Sequence, residues 1–164
     1  MINKNQLTER SFTPSQLSGF DGAHSIQLPV DFIHDLSKAD SLQAVLDTIA
    51  YCISHVFDAD RASITLQDTE EYLKLYSISG NHAIPMDFKI PIGQTFVGRV
   101  FAQSQLIICD DLAQSDELDC KMLSEHGMGT CMDAPMIHNG VCIGTLNVAD
   151  QRKHHYTLQQ AILL

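Results

Sequence analysis

The chain has 164 residues, a formal net charge of −10 and 45% hydrophobic content, which suits one domain with a sizeable core and a short flank. The acidic balance excludes nucleic acid and anionic membrane surfaces as main partners, because no basic stripe is available to neutralise phosphates. No apolar run approaches the roughly 20 residues of a membrane span, and the polar N-terminus lacks the apolar segment of a signal peptide.

Five cysteines stand at 52, 109, 120, 131 and 142, an odd number with no CxxC pair. Zinc-ribbon and thioredoxin-like arrangements therefore find no support. Their apolar neighbours predict mostly buried thiols in a reducing compartment, with the cytoplasm as the default.

Residues 1–28 are polar and carry no sustained periodicity, which predicts a flexible leader or linker. Pro29 suits the first position of a short helix, Val30 to Leu36. Asp40 followed by Gln43 resembles a capping box opening a helix over 41–57. Leu42, Val45, Leu46, Ile49, Ile53 and Val56 make one apolar stripe on it, suited to a sheet or to a partner helix.

Arg61–Leu66 alternates Ala62, Ile64 and Leu66 inward against Ser63 and Thr65, and Tyr72–Ile78 alternates likewise after a polar turn. Both read as antiparallel strands. Gly80 to Asp87 forms a loop and Phe88–Pro91 a short strand. Thr95 caps a short helix to about Ala102, and Leu106–Cys109 is a compact strand closed by Asp110 and Asp111. Ser115 or Asp116 caps a further helix that Gly127 ends in the left-handed conformation.

The strongest local signal is Gly129 to Ala149. Two apolar runs flank Asn139-Gly140, the pair that a type I′ hairpin turn needs because both central residues take positive φ. Val141–Val148 is apolar at nearly every position and reads as a central strand covered on both faces. Thr157 with Gln160 then opens a helix that stops at Leu164, so the chain is expected to end inside an element that continues elsewhere. The element string predicts an α+β fold, with a mostly antiparallel sheet of about six strands and helices on both faces.

From Leu36 to Leu164 the chain resembles the GAF domain, a small-molecule sensor module of signalling proteins. The resemblance rests on SLQAVLDTIAYCI, on IPIGQTFVGRVF followed by LIICDDL, and on APMIHNGVCIGTLNVAD, where Pro135, Gly140, Gly144 and Leu146 match the family signature. It implies a GAF/PAS-like central sheet, a dimerising helical layer behind and a ligand pocket in front, bounded by 95–103 and 109–132. Phe96, Asp111, His126, Cys131 and Asp133 are the candidate ligand-binding residues that follow.

Four of the five candidates have an alternative. Phe96 suits plain core, and Asp110-Asp111 suits a strand-end cap. His126 suits a cation at a helix C-terminus, although some members of the family hold haem through a histidine about one residue away. Asp133 is the odd residue, since a carboxylate in an apolar strand costs several kcal/mol unless something pairs with it. A ligand amine, Arg99, backbone N–H groups or a turn toward solvent would each resolve that cost.

Other branches of the family fit less well. Bilin-binding members attach chromophore through a Cys-His pair that this chain lacks. The methionine sulfoxide reductase branch carries a cysteine where GQTFVG places Val97, and Cys120 and Cys131 do not restore the spacing. The Asn-Lys-Phe-Asp-Glu set of cyclic-nucleotide binders is missing, although Asn147 and Asp150 occupy its general area.

The resemblance thus implies a non-enzymatic regulatory domain, expected as a homodimer, that binds an unidentified small molecule. It would signal through terminal helices to an effector outside this chain (a cyclase, kinase, phosphodiesterase or transcription factor). No metal ligand set and no cofactor are assigned. A GAF fold kept only for dimerisation or protein docking is the alternative, and a reductase-like enzyme the third.

Overall fold

The computed structural model describes residues 8–18, 28 and 30–164. Pro29, and residues 1–7 and 19–27 of the expected leader, lie outside the described residues. The elements run β1 (Glu9–Phe12), α1 (Pro14–Ser18), α2 (Val30–Lys38), α3 (Leu42–Val56), β2 (Arg61–Gln67), β3 (Tyr72–Gly80), β4 (Lys89–Pro91) and α4 (Phe96–Gln103). They continue through β5 (Leu106–Cys109), α5 (Leu118–Glu125), β6 (Thr130–His138), β7 (Val141–Asp150) and α6 (Leu158–Leu163).

The seven strands form one sheet in the order β1-β5-β6-β7-β2-β3-β4. Every pairing is antiparallel. The α+β class is as expected, and the strand beyond the expected six is β1. It lies inside the stretch read as a leader, where Glu9–Phe12 pair with Cys109–Leu106. Glu9 is tied further by Arg99, whose Nη2 donates to its carboxylate at 2.8 Å.

Local chemistry explains most boundaries. Asn139 and Gly140 have φ of 50° and 78°, as the I′ turn requires. Gly144 is needed for a different reason, because a Cβ there would stand 2.1 Å from the Thr65 carbonyl oxygen on neighbouring β2. Thr95 accepts from the Gly98 N–H at 3.1 Å to cap α4, and Thr157 and Gln160 form the full capping box of α6.

Two caps differ from expectation. Ser41, not Asp40, caps α3 through the Ala44 N–H at 3.1 Å, while the Gln43 amide reaches out to Asp47 and the Tyr76 carbonyl. Glu117 holds the N-cap position of α5 without a side-chain bond, so neither Ser115 nor Asp116 serves.

Two cores sandwich the sheet. On the front, Leu73, Leu75, Ile90, Ile107 and Cys131 pack under Val97 and Val100 of α4 and Leu123 of α5. On the back, Ala62, Met132 and Val148 pack against Phe57 at the end of α3 and Ala161 of α6, and Ile64 meets Leu46 and Ala50 of α3. The α3 stripe therefore faces the sheet, except Leu42, which is 63% exposed.

This layering corrects the burial of two strands. Ser63 and Thr65 are not on a solvent face: Arg61 through Thr65 are all buried, because β2 lies inside the sheet with helices over both faces. β7 is buried from Gly144 to Asp150 apart from half-buried Leu146, but not at Val141 to Ile143 next to the turn.

Candidate functional site

Side chains alternate across a sheet, so β2, β6 and β7 each send every second residue to the front. On these strands the front residues include Arg61, Ser63, Asp133 and Asn147. Register sets Asp133 opposite Asn147 and Ser63 opposite Asn147 on its other side. Together with Asp119 of α5 they line a cavity of about 30 Å³ beneath α4 and α5, walled by Leu75, Ile84, Val97 and Leu123. That is room for one or two water molecules.

Asp119 has a structural task that its own strand or helix does not reveal. Its carboxylate accepts from the N–H groups of Phe96 at 2.8 Å and Val97 at 2.9 Å, and from Cys120 at 3.0 Å. It thereby satisfies the first turn of α4, where the helix dipole favours a negative charge. Burial pushes its carboxyl above the usual range, and those three donors oppose the rise.

Asp133 has no comparable support. It is 5% exposed, and no hydrogen bond reaches its carboxylate from the described residues. Desolvation first, and the nearby Asp119 second, hold its carboxyl well above the ordinary carboxylate range, with only the Arg61 charge opposing. Arg99, an expected partner, is occupied elsewhere by Glu117 and Glu9.

Arg61 is buried too, and desolvation lowers its guanidinium to about 10, with Asp133 pulling the other way. It donates to the Asn81 carbonyl at 2.6 Å, which leaves further N–H donors on the fork. Asn147 donates from Nδ2 to Ser63 Oγ at 3.3 Å. Its Oδ1 is buried with no partner among the described residues.

Of the five sequence candidates, the fold brings Cys131 and Asp133 into this lining. Phe96 is fully buried front core, its ring 5.2 Å from the Arg99 guanidinium. Asp111 turns away to cap the short helical turn after β5 through the Ala113 N–H, and it pairs with Lys153 at 3.1 Å. His126 is exposed at the C-terminus of α5, bonded through Nδ1 to the Met122 carbonyl at 2.9 Å. Asp111, partly buried, and His126, exposed, thus sit at element ends and outside the cavity. Arg61, Ser63, Asp119 and Asn147, which carry no local signal in the sequence, belong to the same lining.

Three buried thiols, Cys109, Cys120 and Cys131, are held in their protonated form. A hydrogen bond with Cys120, then burial, raises the Cys109 thiol. Burial raises Cys131 against a smaller opposing bond from Cys120. A hydrogen bond with Cys109 lowers the Cys120 thiol, but the bond with Cys131 and burial together carry it well above the ordinary range. Among the described residues the one grouping with metal-ligand proximity is Glu117, Asp119 and Cys120. Asp119 is already engaged there by backbone donors, and Glu117 by Arg99 through Oε1, while its Oε2 is buried without a partner among the described residues.

The GAF domain sequence profile matches residues 41–164. The chain belongs to the GAF domain family. No curated protein matches the chain. Among solved structures, this GAF domain is similar to that of a phosphoenolpyruvate-protein phosphotransferase from Coxiella burnetii, at 18% identity and TM-score 0.68, covering 81% of this chain and 82% of that one. It is also similar to the free methionine-R-sulfoxide reductase of Neisseria meningitidis solved with its substrate, at 18% identity and TM-score 0.68, covering 85% and 87%. The A. aeolicus nlh2 GAF domain in an inactive state matches at 12% identity and TM-score 0.65, covering 81% and 83%. At these identities the likeness is one of fold. No helix among the described residues is long and apolar enough to cross a membrane.

Proposed function

We propose that this GAF domain is a non-enzymatic regulatory sensor of a cytoplasmic signalling protein, and that its ligand enters between the front of the sheet and α4–α5. The observation that carries this is Asp133, a buried carboxylate without a donor, facing a cavity beside an unpartnered Asn147 oxygen. A buried polar group left unmatched costs about 1–3 kcal/mol. Such a cost is the mark of a site kept for something else.

Signal transmission follows from alternation along the same strands. Asp133 and Asn147 face the cavity, while their neighbours Met132, Ala134 and Val148 pack on the back against the end of α3 and against α6. A ligand that moves the floor of the cavity shifts the seats of both helices. Coupling then requires that it favour one of two helix arrangements. An effector following α6 would receive that bias.

The cavity is small, so a metabolite larger than a few atoms must lift α4 or α5 to enter. Thermal shift of the protein against nucleotides, amino acids, amines, aromatic acids and haem tests the reading. A stabilising class whose effect is lost in Asp133→Asn supports it, and silence from every class removes it.

A second reading rests on the back of the molecule. An apolar groove of about 130 Å³ runs between α2, α3 and α6, lined by Phe32, Ile49, Ile53, Val56 and Leu163. Nearby Leu42 and Tyr51 are 63% and 58% exposed. On this reading the helical layer associates with a second copy, and the front cavity is a filled remnant. Sedimentation of the wild type against Leu42→Glu and Tyr51→Glu decides it: a dimer that both substitutions dissociate supports association, and a monomer throughout rejects it.

A further inference from the structure

The cavity is asymmetric in its hydrogen-bonding chemistry. Among the polar groups that line it, the Asp133 carboxylate receives no hydrogen bond from the described residues, and Asn147 Oδ1 is buried without a partner among them. Ser63 Oγ, beside them, is already engaged as an acceptor by the Asn147 amide. The Asp119 oxygens are taken by three backbone N–H groups. Arg61, which lines the same space, donates to the Asn81 carbonyl and, at 3.5 Å, to that of Ile84, and neither its fork nor the Ser63 hydroxyl donates to Asp133 or to Asn147 Oδ1. The guest that completes this end is therefore a donor.

Charge points the same way. Arg61 can balance only one of the Asp119 and Asp133 carboxylates, so Asp133, which burial and Asp119 otherwise hold toward its protonated form, needs a further cation to stand ionised. A buried charge without a counter-charge is the costliest arrangement available to a protein interior. Size supplies the third constraint, since about 30 Å³ admits a group no larger than one or two water molecules. A guanidinium or an aromatic cation is too large. A hard metal ion takes six or more oxygens, which these few acceptors do not provide. An ammonium group has the charge, the size and several N–H donors on one atom.

We propose that the polar end of this cavity is a subsite for an ammonium group, either ammonium itself or the –NH₃⁺ of a small amine, held by Asp133 and Asn147 Oδ1. The proposal rests on the reading of the cavity as the ligand site, and it gives that ligand a chemical class. An amine larger than methylamine places its remainder toward α4 and α5, along the apolar wall of Val97 and Leu123.

The test is a titration of the ¹⁵N-labelled full chain, followed by NMR, with ammonium chloride, methylammonium chloride and, at matched ionic strength, tetramethylammonium chloride. Saturable shifts at the amides of residues 131–134, 147–148 and 61–63 are expected with ammonium or methylammonium. Tetramethylammonium, which has charge but no N–H, is expected to leave them in place. Shifts with ammonium alone identify the free ion, and shifts with methylammonium identify the head of an amine; either result supports the subsite.

Asp133→Asn should weaken the apparent affinity at least about tenfold, or about 1.4 kcal/mol. Asn147→Ala, which keeps the charge and removes the second acceptor, should weaken it several-fold. The subsite is overturned if neither N–H cation gives saturable shifts, if tetramethylammonium saturates the same amides equally, or if both variants bind as the wild type does. Should another class of compound stabilise the protein through the cavity while both amine probes are silent, the subsite falls and the sensor reading stands. Should nothing bind, both fall.

Discussion

Replacing Asp133 by Asn is the substitution with the sharpest expected consequence. The change is isosteric, so packing is conserved while the charge is removed. Four contributions decide the sign. Desolvation, the largest, disfavours the native carboxylate; the Asp119 charge disfavours it further; the Arg61 charge favours it; the Glu117 charge, the smallest, disfavours it. The first two prevail, so the ionised side chain destabilises the fold, and an amide relieves that cost. The new N–H also gives Asn147 Oδ1 the donor it lacks. From the cost of a buried unmatched group, the gain at neutral pH is about 1–3 kcal/mol, which is a rise in Tm of roughly 2–10 °C for a chain of this size.

The pH dependence follows from linkage. A carboxyl whose folded pKa is raised binds its proton more tightly in the native state. Wild-type stability therefore falls as pH rises from the unfolded value of about 3.9 to the raised native one, and is level above it. Asp133→Asn removes that decline. Thermal melts of both proteins across this range should coincide at the acid end and separate toward neutral pH, with the variant higher. If the variant melts lower at neutral pH, or its advantage is equal at acid pH, then Asp133 has a partner in the folded protein and the argument from an unmatched carboxylate is wrong.

The remaining predictions concern the frame of the site. Asp119→Ala strips three backbone N–H groups of their acceptor and should cost about 2–4 kcal/mol in urea denaturation, with α4 losing hydrogen-exchange protection first. Deleting residues 1–12 removes β1 and bares the β5 edge, so the shortened protein should melt lower and aggregate on heating, as light scattering would show. Four of the five cysteines are buried and only Cys142 is partly exposed. A disulfide reagent should therefore modify one thiol rapidly in the native protein, and all of them in denaturant.

What could be read from the residues, and what could not, divides by range. Asn139-Gly140, Thr95 and the Thr157–Gln160 box act within a few residues of themselves, and each formed the turn or cap its chemistry requires. Asp133 was conspicuous for the same reason, as a charge in an apolar strand. Arg61, Ser63 and Thr65 were missed because alternation cannot tell a solvated face from one covered by distant helices; that depends on the place of β2 within the sheet. Asp119 was missed because the amides it caps lie 22 and 23 residues earlier. Glu9–Phe12 has no pattern of its own, and its strand exists only because β5 supplies the edge. Asp111 and His126 were placed near the pocket by analogy of position, and local capping then settled where their side chains went.

On the proposed function, a ligand that acts on the front cavity is felt at the helices behind the sheet. Hydrogen exchange of the protein, with and without the compound that stabilises it most in the thermal-shift series, tests this directly. The account predicts added protection in residues 96–103 and 118–125 around the cavity, an accompanying change in residues 53–57 and 158–163, and loss of both in Asp133→Asn. Protection confined to the α2–α3–α6 groove, or a front-side effect that persists unchanged in Asp133→Asn, would contradict it.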